Sequence, residues 1–507
     1  MKEHIIGIDL ALNHRHRASI WDTTAKNFLG KSFLFDRSFE GFENLLKRSV
    51  AGEQSDLKLI FVMEPTSLAW LPLSCYLLAK GHQVYLIKPQ MVSALRKVFG
   101  LSKSDRLDSQ TLARVYLLKP DSLHSLYLSN ATINALDRFC RQRAKLVKRA
   151  SAIKTRLWHI FTFANPKALE AFNQDKYSQL GRAFLRNLIS PYKIVELGLD
   201  GLIAFLNDNC RGNLDPEIPK KLYEASLSTI NIYHEYKTQN GLPFDLDILQ
   251  FEVNLELDVL EMLEQKIKIL DDQIKRLYLQ VDPDKQLHTI TGFSDVLAPI
   301  ILAVVGDITR FPNVRSFKGF LGFYPKKKQT TNKDRHGLPI VKTSLWLLKQ
   351  AFYMAAECSR HWDVEMAEFY DRLISRGLHH DQAICAIAAK LAGRVYAIMK
   401  RMADPNCSKE DTQYQLRDLD GNPIDKKNAK TIINEKFPGK YEKEKRQKAQ
   451  QKQAAQKNKH KKQIKTESNH NTQQKLVNVE LLKRSGETQS IKQVLDKIVP
   501  QYSELTE

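Results

Sequence analysis

LKLIFVME, residues 57–64, is a continuous apolar run that ends in a single acid. A strand covered on both faces shows such a run, whereas a half-exposed strand alternates. Reading outward, HIIGIDLA (4–11) is a second short β-rich run, also closed by an acid, Asp9. RASIWD (17–22) and KSFLFD (31–36) follow it, with TTAKNFLG (23–30) as hairpin material between them. SFEGFENLLKRSV (38–50) has helical periodicity and a serine start. SLAWLPLSCYLLAKG (67–81) reads as a helix that adjusts locally at Pro72 and stops at Gly81, and HQVYLIKP (82–89) is another strand. PQMVSALRKVFG (89–100) and SDRLDSQTLARVYLLK (104–119) are helices. Three locally joined strands followed by strand–helix units describe a mixed α/β sheet flanked by helices, in an order that suits a ribonuclease-H-like domain over 1–125.

Residues 126–284 change character. The stretch 130–161 is one long helical pattern with apolar residues Leu136, Phe139, Leu146, Val147, Ile153 and Leu157. It also carries Arg141, Lys145, Lys148 and Arg149, candidates for nucleic-acid contact. Residues 251–280 have heptad-like apolar spacing, so the two segments are expected to pair as an antiparallel coiled-coil hairpin around short helices. Residues 285–403 read as a compact, mainly helical domain with turns at or near Gly292, Gly306 and Gly319. From 404 to 507 the pattern decays. Segment 439–465 has eleven Lys and Arg against two Glu, too little apolar surface to offset chain entropy, so this tail is expected to be largely disordered.

The chain has 507 residues and a formal charge of +21, from 78 Lys+Arg against 57 Asp+Glu. That excess favours polyanionic partners, because binding them releases counterions. No signal peptide and no apolar run of membrane length is evident, so the expectation is a cytoplasmic protein without membrane contact. Six cysteines without a CxxC spacing argue against a disulfide framework or zinc site and are expected mostly to fill core.

Against this basic background four acids stand out. Asp9 and Glu64 close two apolar strands, and Asp105 and Asp108 share one face of a helix three residues apart. If the four converge, their repulsion calls for cations, and hard oxygen ligands suit Mg²⁺ or Mn²⁺. Two such ions can clamp both oxygens of a phosphodiester displacement. The competing reading is a solvated helix face and two strand-ending turn formers.

GIDLA (7–11), the stretch 61–100 and SKSDRLDSQTLAR (102–114) resemble the N-terminal domain of DEDD transposases of the insertion sequence one-hundred-and-ten class. That class includes Piv-type invertases and bridge-RNA-guided recombinases. The resemblance places Asp9, Glu64, Asp105 and Asp108 on the family's metal-binding tetrad and Lys103 on the lysine before the pair. It implies a RuvC-like fold and Mg²⁺. Residues 136–158 are similar to the family's coiled-coil arm, and 289–325 with 370–400 to its C-terminal transposase domain. The resemblance further implies DNA transposition, a structured guide RNA and a homodimer or tetramer.

One departure concerns the nucleophile. The family places a serine about five residues after its LGxxP element, where this chain has Thr330. A threonine hydroxyl is hindered by its methyl group. Thr330 as nucleophile, Thr331 or Ser344 in its place, loss of strand exchange, or plain loop residues are all open readings. Around Thr330, the cations Lys326, Lys327, Lys328, Lys333 and Arg335 suit phosphate contact. A metal-dependent junction nuclease and an inactive nucleic-acid-binding relic are the alternatives to a recombinase.

Overall fold

The computed structural model describes residues 2–52, 57–98, 100, 102, 104–118, 123–172, 176–325, 329–330, 333–334, 338, 340–341 and 346–437. Two compact units divide at Ser129 and Asn130.

The first unit is a mixed α/β domain. Its strands are β1 (Lys2–Asp9), β2 (His16–Asp22), β3 (Asn27–Phe28), β4 (Phe33–Phe35), β5 (Leu57–Met63) and β6 (Gln83–Leu86). Helices α1 (Phe39–Val50), α2 (Trp70–Ala79), α3 (Pro89–Val98) and α4 (Asp105–Leu118) complete it. The sheet order is β3-β2-β1-β5-β6, with β4 also pairing β2. β1 runs antiparallel to β2 and parallel to β5. Burial on both faces explains the unbroken apolar run of β5. Ile6, Ile8, Phe61 and Met63 face one core with Leu45, Leu73 and Leu77, while Ile5, Ile60 and Val62 face another with Leu112, Ala113 and Val115. The serine start of α1 is Ser38, whose side chain accepts from the Gly41 N–H. Pro72 falls in the first turn of α2, where its missing N–H costs no intrahelical bond.

The second unit is mostly helical. Its long helices are α5 (Ala131–Ala164) and, after α6 (Gln179–Asn187), α7 (Pro191–Asp208) and α8 (Glu217–Asn240), α9 (Leu246–Val281). α5 and α9 pack antiparallel: Arg143 pairs with Asp271 near one end, and Arg156 with Glu256 further along. Much of the basic face of α5 is therefore answered within the unit, Lys154 by Glu264 and Arg141 by Asp137. Lys145, Lys148 and Arg149 are exposed. Val147, expected in the apolar stripe, is also exposed. Trp158 and Phe161 pack in the core under α6 to α8.

Beyond α9 come α10 (Leu297–Val305), α11 (Val314–Leu321), the short hairpin β7 (Gln329–Thr330) and β8 (Lys333–Asp334), α12 (Trp346–Ser359), α13 (Val364–Ser375), α14 (His380–Met402) and α15 (Lys426–Lys436). Gly319 lies inside α11, and Gly322, at φ 73°, ends that helix instead. One core joins Leu136, Cys140, Ile274 and Tyr278 of the long helices to α10, α12 and α14.

α14 is long and apolar enough, by length and composition, to cross a membrane, but half of its most apolar window is buried inside the protein, as in a core helix, and Lys390 and Arg394 interrupt it. Two expectations need correction. Residues 404–437, expected in the disordered tail, hold α15, whose Ala429 and Ile433 pack on Val364, Ala367 and Leu416. A few well-spaced apolar residues suffice there because α13 already offers a surface. The cysteines do not mostly fill core: Cys140 is buried, but Cys75 and Cys358 are exposed. The lysine-rich 439–465 segment lies outside the described residues.

Candidate metal centre in the first unit

Parallel pairing sets Ile8 of β1 opposite Met63 of β5, so the next residues, Asp9 and Glu64, leave adjacent strands at the same level. Neighbouring strands lie about 4.8 Å apart. Alternation puts Asp9 on the same face of β1 as Ile5 and Gly7, the face that α4 covers.

Gly7 decides how closely α4 approaches. A Cβ built on Gly7 would stand 2.0 Å from the Ser109 carbonyl oxygen and 2.6 Å from the Ala113 nitrogen. The helix backbone thus rests on the strand backbone. A buried hydroxyl pair, Ser19 Oγ to Ser109 Oγ at 2.7 Å, ties α4 to β2 as well. The Ser104 hydroxyl accepts from the Leu107 N–H and fixes the start of the helix. Asp105 and Asp108 occupy that first turn, where the helix dipole favours negative charge. Asp105 is exposed, Asp108 buried, and Asp9 and Glu64 lie between these extremes.

The electrostatics bind the four together. Burial first, then the negative charges of Asp108, Asp105 and Glu64, push the Asp9 carboxyl from 3.8 up to about 6, against the pull of Arg96. Arg96, in the last turn of α3, reaches Asp108 with its Nε 3.0 Å from Oδ1. A guanidinium therefore supplies part of the compensating charge. Sequence reading missed both Gly7 and Arg96. Glycine after two isoleucines was a signal of close backbone approach; the α3 arginine carried none.

An Asp9 carboxyl whose proton affinity is raised by three neighbouring carboxylates belongs to a donor set suited to a hard divalent cation. Among the described residues, no three His, Cys, Asp or Glu side chains stand, as placed, where they could hold one ion. The donor chemistry fits a hard divalent cation, with Arg96 paired to Asp108 in its absence.

The other candidates lie elsewhere. Thr330 and Lys333 pair across the β7–β8 hairpin of the second unit. Lys103, Lys326, Lys327, Lys328, Thr331, Arg335 and Ser344 lie outside the described residues. Among the histidines, His379 caps α14 and His16 is buried, its Nδ1 accepting from the Ala11 N–H.

Comparison with known proteins finds two family matches along the chain. Residues 6–166 match the IS110-type DEDD transposase family, described as Transposase, and residues 284–371 match the Transposase IS116/IS110/IS902 family. The chain is 22% identical over 343 residues to the "Insertion element IS110 uncharacterized 43.6 kDa protein" of Streptomyces coelicolor, covering 68% of this chain and 82% of that one. It is 20% identical over 407 residues to the "Insertion element IS116 uncharacterized 44.8 kDa protein" of Streptomyces clavuligerus, covering 79% and 96%. Over both matched regions, then, the chain is similar to transposases of the IS110 type.

Proposed function

We propose that the chain is a DNA transposase or site-specific recombinase of the DEDD class, RNA-guided, acting in the cytoplasm as a homo-oligomer. Its first unit is the ribonuclease-H-like (RuvC-like) catalytic domain, with Asp9, Glu64, Asp105 and Asp108 as ligands for Mg²⁺ or Mn²⁺. Bound there, the ions would stabilise the charge that develops on a phosphodiester during displacement. Asp9 and Glu64 supply two carboxylates from adjacent strand ends, and α4 supplies two more from its first turn. Thr330 supplies the hydroxyl: its oxygen bonds to phosphorus as the bond to the leaving deoxyribose oxygen breaks, its proton passes to solvent, and the leaving oxygen takes a proton from solvent to depart as a hydroxyl. The exposed Lys145, Lys148 and Arg149 of α5 suit the backbone of guide RNA or DNA.

The observation that carries this reading is the raised proton affinity of Asp9, which three other acids share in causing. Such mutual repulsion is costly unless function needs it. A metal-dependent nuclease that uses the tetrad and water is the second reading, favoured by threonine at the serine position. Thr330→Val separates the two. A recombinase loses its covalent protein–DNA adduct and strand joining, whereas a nuclease cuts as before. A wild-type protein that neither cuts nor joins DNA with Mn²⁺ refutes both.

A further inference from the structure

Two open clefts of the first unit share one wall, Asp36 and Arg37. The first, about 560 Å³, is lined by Arg15, Arg17, Arg37 and His14 and reaches Asp105. The second, about 730 Å³, is lined by Phe39, Phe42, Pro72 and Tyr76. We infer that the pair forms a site for one unstacked nucleotide of single-stranded DNA, its phosphate among the arginines and its base stacked on Phe39 beside Tyr76. The inference rests on the reading of the acidic group as a phosphodiester site, since it makes this nucleotide a neighbour of the reacting one.

The cationic cleft is held in shape before any ligand arrives. Arg15 Nη2 donates to Asp36 Oδ2 at 2.8 Å, Arg17 Nη1 to Ser32 Oγ at 3.0 Å, and Arg37 Nη1 to the Leu12 carbonyl. Each guanidinium carries five N–H donors, so these bonds leave most of them for phosphate oxygens. Arg17 Nε is buried with no hydrogen-bond partner among the described residues. His16, on the apolar side, adds no charge near neutral pH: burial, then the charge of Arg37, lower it to about 4.

The apolar cleft has the form of a stacking platform. Phe39 is 65% exposed and lines this open cleft. It meets Tyr76 edge to face, with centroids 6.0 Å apart, and Tyr76 in turn meets Phe42 at 5.5 Å. Ring faces beside fixed guanidinium groups suit a base and its own phosphate. A base inside a duplex keeps its faces stacked, so the ligand is a single strand.

The test uses the full chain in EDTA with a DNA oligonucleotide carrying 5-iodo-deoxyuridine, irradiated and mapped by peptide mass spectrometry. The expected adduct falls on the peptides containing Phe39 or Tyr76, and at least about fivefold less forms with duplex of the same sequence. Phe39→Ala and Arg15→Ala/Arg37→Ala, all at exposed positions, should each lower that adduct about fivefold while sparing adducts elsewhere. Adducts confined to other peptides, indifference to both variants, or a stronger adduct with RNA of the same sequence would overturn the inference. Because no metal is present, the adduct stands even if the metal reading fails. Metal binding without the adduct defeats this inference alone.

Discussion

Replacing Gly7 with alanine should disturb the acidic group without touching any acid. Ordinary contact begins at 3.4 Å, and the new Cβ would lie 2.0 Å from the Ser109 oxygen, so α4 must retreat by about the 1.4 Å difference. Overpacking of this kind costs about 1–3 kcal/mol. Parting the Ser19–Ser109 hydroxyls, now 2.7 Å apart, adds about 1 kcal/mol. Asp105 and Asp108 ride on the displaced helix, whereas metal–ligand distances tolerate only about 0.2 Å. Hydrogen exchange of β1 and α4 peptides, with Mn²⁺ titration of the same protein, reads both effects. The expected result is faster exchange in both elements and at least tenfold weaker Mn²⁺ binding. Unchanged exchange with unchanged affinity would refute the close-approach argument. Gly393→Ala is the control, because its Cβ meets only the end of the Lys318 side chain, at 3.9 Å.

Further outcomes follow from the same contacts. Gly393→Ala, inside α14, should stabilise the second unit by about 0.5–1 kcal/mol, visible as a higher urea midpoint. Asp9 binds its proton more tightly folded, at about 6, than its ordinary 3.8, so stability from this group is full below pH 3.8 and lost as pH rises through 6. The shift alone corresponds to about 3 kcal/mol, which solvent around the half-buried carboxyl reduces to about 1–2 kcal/mol. Metal-free Asp9→Asn should lose that slope between pH 4 and 7 in denaturant melts; a slope equal to wild type contradicts the assignment. Arg394→Met should destabilise the second unit by about 3 kcal/mol, because it strands Asp363, whose Oδ2 it holds at 2.5 Å in a buried pair. Adding Asp363→Asn should restore part of the loss, and a purely additive double variant would show that the two do not interact.

Much of this architecture is written in local patterns. The run at 57–64 declared a doubly covered strand because both of its faces meet apolar helices, and Ser38 announced α1 because its hydroxyl has a capping role. The two long helices were legible from apolar periodicity. Their register was not: nothing in the chain order announced that α9 would bring Asp271 and Glu256 opposite Arg143 and Arg156. Four acids could be singled out by chain position, yet the depth at which α4 sits depends on a missing Cβ at Gly7, and Arg96 joins Asp108 only through the packing of α3. Helix α15 escaped notice because its two buried residues become a core only against α13. The arginine and aromatic clefts were hidden for the same reason: Arg15 and Arg37 come from two loops, Phe39 from α1 and Tyr76 from α2, and they meet only in the fold.

The central claim is that Asp9, Glu64, Asp105 and Asp108 form one divalent-cation site. Calorimetric titration of metal-free protein with Mn²⁺, wild type against Asp9→Asn, tests it most directly. The account predicts a saturable site in the wild type that Asp9→Asn abolishes and that raises the melting temperature when filled. Equal binding by both proteins, or none by the wild type, would contradict it.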